Sequence, residues 1–246
     1  MSAVRTLIVC LLLGGAAAAA SAIAQTAPAP AKAPIKPVFL SGDFLNPALI
    51  LPVPPAPDSA EGKAQLDEVR AIVKAASPER IKEAAFDDGD ESVHAFAKVL
   101  PGFDLAKLPK TAKLFKDVES DQDYVTNMAK VHFARRRPYE IDTTLPTCVP
   151  SPLGGKPRSY PSGHSTLGFT DAIVLAHLMP AKAEVIFARA KEYAENRVIC
   201  GVHFSYDTVA SQALATGIAT DIQQSPQFQA EFADAKAELI AAGLSN

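Results

Sequence analysis

The chain has 246 residues, 48% of them hydrophobic and 21% charged, with 24 basic against 27 acidic side chains and a net charge of −3. A balance this close to neutral excludes a global basic field that would recruit nucleic acid, so any affinity for anions has to be local. The length suits one sizeable core and is short for two.

In chain order, the first element is a candidate export signal: Arg5, an apolar run from Leu7 to Leu13, an alanine-rich stretch, and Ala22-Ile23-Ala24 ahead of Gln25. Cleavage after Ala24 is expected, which places the mature chain in the periplasm or outside the cell. The apolar run is short for a membrane anchor. The 222 residues that remain hold 23 basic and 27 acidic side chains and two cysteines, Cys148 and Cys200. An oxidising compartment permits a disulfide between them, which would close a loop of about 53 residues and contribute roughly 4 kcal/mol on chain-entropy grounds. Two buried free thiols are the alternative.

Residues 25–59 carry nine prolines, which exclude helix and predict an extended arm. From residue 60 to 246 the pattern is that of one helical domain. Helices are expected over 61–76, from the Ser77-Pro78 start to the Asp87-Asp88-Gly89-Asp90 break, and over 91–99, 104–117, 120–135, 164–179, 181–196, 206–222 and 226–243. Nothing alternates with period two, so the fold class is all-α, a single compact helical bundle. The gap at 138–161, rich in Pro, Gly and Thr, reads as a functional loop. The apolar run Leu167 to Met179 contains Asp171 and His177 and is too short to cross a bilayer, so no membrane span is expected in the mature chain.

Three segments carry the chemistry. Lys130 and Arg137 are seven apart, which on one continuous helix leaves them within about 20° of one face. Arg135-Arg136-Arg137 as an isolated run reads as a solvated basic cluster, and Pro138 sets the last arginine at the mouth of the loop. In Pro161-Ser162-Gly163-His164, a capping Ser162 would leave the next amides free for an anion, with Gly163 allowing close approach. His203 and Asp207 are one helical turn apart, so the carboxylate can take the Nδ1 proton and leave Nε2 as a lone pair. Arg197, six before His203, reaches the same pocket if the chain bends near Cys200-Gly201. A metal site on the His203–Asp207 pair is disfavoured by three nearby cations and no further ligands at metal spacing. His94, His132 and His177 read as structural, although His132 lies between Lys130 and Arg137.

The segments K-x6-RP, PSGH and R-x5-H-x3-D together resemble the acid phosphatase/vanadium haloperoxidase (PAP2) superfamily, and within it the exported bacterial class A nonspecific acid phosphatases. The likeness extends to the Leu-Pro-x-Pro-Pro stretch before Asp58-Ser59, Ser159-Tyr160, Val198-Ile199-Cys200-Gly201 and Ser225-Pro226-Gln227-Phe228. It implies that His203 becomes phosphorylated, Asp207 orients it and His164 protonates the leaving group. It further implies that Lys130, Arg137, Ser162, Gly163 and Arg197 hold the phosphoryl oxygens, with no metal or other cofactor. The expected substrates are small phosphomonoesters, with a homo-oligomer as one arrangement of the chain. Within the superfamily the alternative is a vanadate-dependent haloperoxidase; outside it, a non-catalytic periplasmic phosphate-binding protein. Two positions depart from the group: Asn196 stands where serine precedes the arginine, which touches a peripheral hydrogen bond, and Arg158 stands where glycine precedes Ser-Tyr.

Overall fold

The computed structural model describes residues 36–42 and 44–246; the expected export segment and the beginning of the arm lie outside the described residues. The helices are α1 (Pro47–Ile50), α2 (Ala60–Ala75), α3 (Pro78–Asp88), α4 (Pro109–Phe133), α5 (Pro138–Ile141), α6 (Gly163–Leu178), α7 (Ala183–Ile199), α8 (Ser205–Ile222) and α9 (Pro226–Ala241). Short 3₁₀ turns lie between α3 and α4 and between α6 and α7. There is no strand among the described residues, and the fold is all-α.

Local chemistry sets the helix starts. Ser59 accepts from the Gly62 amide at 3.0 Å, and Ser77 and Ser225 cap α3 and α9 with a proline in the first turn of each helix. Where helices were expected at 104–117 and 120–135, α4 runs unbroken from Pro109, because no glycine or proline interrupts it before Phe133. The 91–99 and 104–108 stretches instead wind as 3₁₀ turns. The arm also holds one turn of helix that its prolines were expected to exclude. Asn46 caps Ala48 at 3.0 Å and Pro47 occupies the first turn, where its missing N–H costs nothing.

Helix α6 is the centre of the bundle. Only Gly163, Ile173 and His177 escape burial, because α7 and α8 flank it closely and α4 covers a further side. A helix apolar all round has to be enclosed in this way. No described helix is long and apolar enough to cross a membrane. The described part of the arm is a strap across this bundle. The Val38 and Phe39 amides donate to the buried Asp121 carboxylate on α4 at 2.6 and 2.8 Å, and the Leu45 amide donates to Asp221 at 2.8 Å. Phe39, Leu40 and Leu51 join the main core, and the Tyr160 hydroxyl donates to the Pro52 carbonyl at 2.7 Å. The strap thereby steadies Tyr160, next to the Pro161 turn.

Two core carboxyls need a separate account. Both oxygens of Asp171 on α6 are buried without a hydrogen-bond partner, and burial together with the nearby Glu119 of α4 pushes its carboxyl well up. Glu119, which accepts the Val93 amide at 2.7 Å, is pushed up by burial to about 7. Because these folded values lie above those of the unfolded chain, the contribution to stability is complete at acid pH. It is lost as pH rises from the ordinary carboxyl range through about 7. Glu119→Gln should therefore gain stability relative to the wild type, by on the order of 2 kcal/mol between pH 4.5 and 8. Urea denaturation at the two pH values checks this, and a difference that does not change with pH would contradict it.

Candidate active site

The cavity lies where the C-terminus of α3, the C-terminus of α4, the N-terminus of α6 and the turn between α7 and α8 meet. It measures about 360 Å³, and its wall includes Lys130, Arg137, Gly163, His164, Arg197 and His203. Asp207 stands behind His203, and Ser162 is buried below the wall.

Lys130 and Arg137 come together through a turn of the backbone. Helix α4 ends at Phe133, Ala134 adopts a left-handed conformation (φ 45°, ψ 42°), and Arg137 has an extended backbone as the cap of α5. The two cations therefore do not share one helix face. A sharp turn folds Arg137 back over the end of α4, its position fixed by its amide donating to Glu140 at 2.9 Å. The turn also reverses the reading of Arg135. Its side chain is 5% exposed, pairs with Asp207 at 2.6 Å, donates to Gln65 at 2.6 Å and stacks on the Phe204 ring at 3.9 Å. Only Arg136, whose guanidinium donates to the Glu140 carbonyl, is an exposed member of the cluster.

His203 is buried, with Nδ1 3.3 Å from Asp207 Oδ2 and Nε2 3.0 Å from Arg137 Nη1. A guanidinium has no acceptor, so it donates to Nε2, and that nitrogen carries the lone pair. Burial, followed by the charges of Arg137, Arg197, Lys130 and His164, holds the imidazole well below its ordinary value. The ring is therefore neutral at mildly acid pH. Asp207 sits in the first turn of α8, where it accepts from Arg135, from the Ser159 hydroxyl at 2.6 Å and from the Phe204 amide at 3.0 Å. Burial lifts its carboxyl despite these partners.

Arg197 enters from the last turn of α7. The expected bend follows it: Gly201 has φ +74°, the Val202 amide returns to the Arg197 carbonyl at 3.2 Å and the Gly201 amide to Val198 at 2.9 Å. A Cβ on Gly201 would lie 2.6 Å from the Pro146 carbonyl oxygen, so only glycine fits. Asp88 at the end of α3 takes one end of the guanidinium at 2.5 Å. Nε and Nη1 of Arg197 are buried with no partner in the protein. Unpaired buried donors of this kind are costly unless a ligand takes them.

On the opposite wall, Ser162 accepts from the Ser165 amide at 3.3 Å as the cap of α6. The amides of Gly163 and His164 belong to the first turn, which has no acceptors of its own within the helix. Lys130 Nζ would lie 2.9 Å from a Cβ at position 163, so any larger residue there would push the lysine head back from the helix end. Burial, then the charges of Arg137 and Arg158, lowers Lys130 to about 8. His164 has both ring nitrogens engaged: Nδ1 is 3.0 Å from Glu91 and Nε2 is 3.1 Å from the Asp88 carbonyl.

Several features were not legible beforehand. Asp87 and Asp88, read only as a helix break, anchor two buried arginines more than 100 residues away. Asn196, expected to be peripheral, is fully buried, donates to Asp87 at 2.7 Å and accepts from Arg80 at 2.6 Å. It thereby ties α7 to the α3 end that holds Arg197. Arg158 is half-buried and donates to Asn127 on α4, on the side of Lys130. His132 is exposed and packs edge-on against Phe133 at 4.7 Å, away from the cavity. Cys148 and Cys200 are joined in a disulfide that pins the 138–161 loop to the end of α7, and Cys148 also donates its amide to the Cys200 carbonyl at 3.1 Å. Replacing both cysteines with serine should cost about 2–4 kcal/mol. A denaturation midpoint unchanged by the double substitution would remove the disulfide from the account.

Known proteins share the segments that build this pocket. Residues 122–229, from α4 to the start of α9, match the PAP2 superfamily. The chain is 33% identical over 138 residues to an acid phosphatase of Zymomonas mobilis, covering 55% of this chain and 52% of the relative. A non-specific acid phosphatase of Providencia stuartii is 33% identical over 133 residues, 53% of each chain. These two alignments span about half the length of the relatives. A non-specific acid phosphatase of Salmonella typhimurium is 29% identical over 213 residues, 83% of this chain and 84% of the relative. The segments that build the cavity's cationic wall and its histidine–aspartate pair fall inside the region that matches the PAP2 superfamily.

Proposed function

We propose that this protein is an exported acid phosphatase that hydrolyses small phosphomonoesters through a phosphohistidine on His203. The observation that carries the reading is the buried His203, with Nδ1 on Asp207 and Nε2 facing the Arg137 guanidinium, in a cavity where Arg197 offers two unpaired donors. A pocket that only bound phosphate would need the cations but no oriented lone pair. The relatives named as acid phosphatases support the same activity.

In the first step His203 Nε2 attacks phosphorus as the ester P–O bond breaks, and His164 gives its proton to the departing oxygen. Arg137 is within reach of Nε2 and, with Lys130, Arg197 and the first amides of α6, would take the equatorial oxygens. In the second step water attacks the phosphohistidine, the P–N bond breaks and His164 receives the water proton. Asp207 keeps the Nδ1 proton in place through both steps. The cations supply the charge stabilisation, so the reading needs no metal. Among the described residues no three His, Cys, Asp or Glu side chains converge as a metal site.

The test is phosphate release by purified protein from p-nitrophenyl phosphate and a panel of alkyl and sugar phosphates in EDTA. Activity with an optimum below about pH 7 is expected, as one histidine must be neutral and the other protonated. Vanadate should compete with phosphate for the cavity as a transition-state-like oxyanion. Activity restored only by a divalent metal would refute the mechanism. Bromide oxidation with vanadate and peroxide, without hydrolysis of any ester, would establish the haloperoxidase alternative.

A further inference from the structure

Glu91 is a carboxylate in a pocket built for anions, which is a costly place for it unless it has work to do. It lies in the turn after α3, with its side chain 66% exposed at the cavity mouth and Oε1 3.0 Å from His164 Nδ1. The turn itself is held from three sides: Tyr193 donates to the Asp90 carbonyl, Glu119 accepts the Val93 amide, and Ser92 donates to Asp90 at 2.8 Å. A carboxylate on so firmly pinned a turn is not a chance surface charge.

The partners of His164 fix what Glu91 can do. Both ring nitrogens face oxygen acceptors, Glu91 on one side and the Asp88 carbonyl on the other. A neutral imidazole has one N–H and would turn a lone pair toward one of those oxygens; a protonated ring donates to both. The other charged or titratable groups around this ring are Asp88 from the end of α3, Lys130 from α4, Arg137 and Tyr139 from α5 and its cap, Arg197 and Tyr193 from α7, and His203 from the turn before α8. Lys130, Arg197 and Arg137 all oppose a positive charge on the ring, and the Asp88 carboxylate is taken by Arg197, so among the described residues Glu91 is the carboxylate in direct contact with the ring that favours that charge.

We propose that Glu91 is a positioning residue, forming with His164 a second histidine–carboxylate pair that holds the ring as a two-donor imidazolium in the resting enzyme and steadies it again after it takes the proton of the hydrolytic water. This rests on the acid–base role assigned to His164 above. Nδ1–H stays on Glu91 while Nε2–H leaves the Asp88 carbonyl for the leaving-group oxygen, and in the second step Nε2 takes the water proton. The two pairs divide the chemistry: His203–Asp207 is sealed from solvent and supplies a lone pair, while His164–Glu91 is open to solvent and supplies and recovers a proton. The interaction is mutual, as the hydrogen bond from His164 holds the Glu91 carboxyl down at about 2.

The experiment compares wild type, Glu91→Gln and Glu91→Asp in the full chain, following kcat/KM against pH for p-nitrophenyl phosphate and an alkyl phosphate. For Glu91→Gln the alkaline limb should move about one pH unit lower, with kcat falling about tenfold for the alkyl ester and less than threefold for the nitrophenyl ester. Glu91→Asp should recover part of the shift, which a merely structural role would not predict. Superimposable profiles, or a change in KM alone that is equal for both esters, would overturn the proposal. Nitrogen-15 NMR of the His164 ring in the resting protein separates this from the phosphatase reading. If no version hydrolyses any ester, that reading fails, yet His164 should still lose its second proton at lower pH in Glu91→Gln. Identical titration in the two proteins would end the role of Glu91.

Discussion

His203→Ala is expected to lower turnover on every phosphomonoester by about 10⁴-fold or more, with no phosphoenzyme formed. The geometry gives the reason. His203 Nε2 is a lone pair directed at a guanidinium, Arg137, and its tautomer is set from behind by Asp207. His164 cannot stand in for it, because both of its nitrogens face acceptors. The cationic wall remains intact, so inorganic phosphate should bind His203→Ala with affinity close to that of the wild type. Steady-state rates across an ester series, with phosphate binding by calorimetry, check the two halves separately. Retention of a tenth of the wild-type rate would rule out His203 as nucleophile.

Arg135→Ala is expected to destabilise the fold by about 3–5 kcal/mol, the cost of leaving a buried carboxylate without its cation. Asp207 is fully buried, and Arg135 is the guanidinium that faces it from behind at 2.6 Å. Arg135→Lys should recover only part of the loss, because a lysine head cannot reach Asp207 and Gln65 together or stack flat on Phe204. Both substitutions should also slow turnover, since Asp207 sets the His203 tautomer. Chemical denaturation at one fixed pH is the measurement; a loss under about 1 kcal/mol for Arg135→Ala would mean that the pair is not the support described here.

What was legible in the sequence was whatever depends on short-range spacing. The cap-and-proline start of α3, the bend at Gly201 and the one-turn separation of His203 and Asp207 are written within a few residues of where they act. The apolar run of α6, interrupted by Asp171 and His177, reads as too short to cross a bilayer, and its neighbours enclose it. The seven-residue spacing of Lys130 and Arg137 pointed to a shared pocket for a reason the backbone does not follow, since the left-handed residue at Ala134 ends α4 between them. Nothing in an alanine announces a left-handed conformation. The supporting carboxylates were invisible for a different reason. Asp87 meets Arg189, Asp88 meets Arg197 and Glu91 meets His164 only after α3 packs on α7 and its following turn reaches α6. A run of acids after a helix looks the same in a sequence whether it faces water or buried guanidinium groups. Arg135 was hidden likewise, because neighbours in a basic run go to different fates once the chain turns: 135 to Asp207, 136 outward, 137 to the cavity.

The central claim is that a phosphoryl group passes through His203. Its most direct test is to mix the protein with a phosphomonoester labelled in phosphorus, quench within the first turnover under denaturing alkaline conditions that preserve phosphohistidine, and map the labelled peptide by mass spectrometry. The account predicts label on the peptide containing His203, none in His203→Ala, and a larger trapped fraction when the second step is slowed in His164→Ala with p-nitrophenyl phosphate. Label on any other residue, or turnover of that ester with no label trapped on the wild-type enzyme, would contradict it.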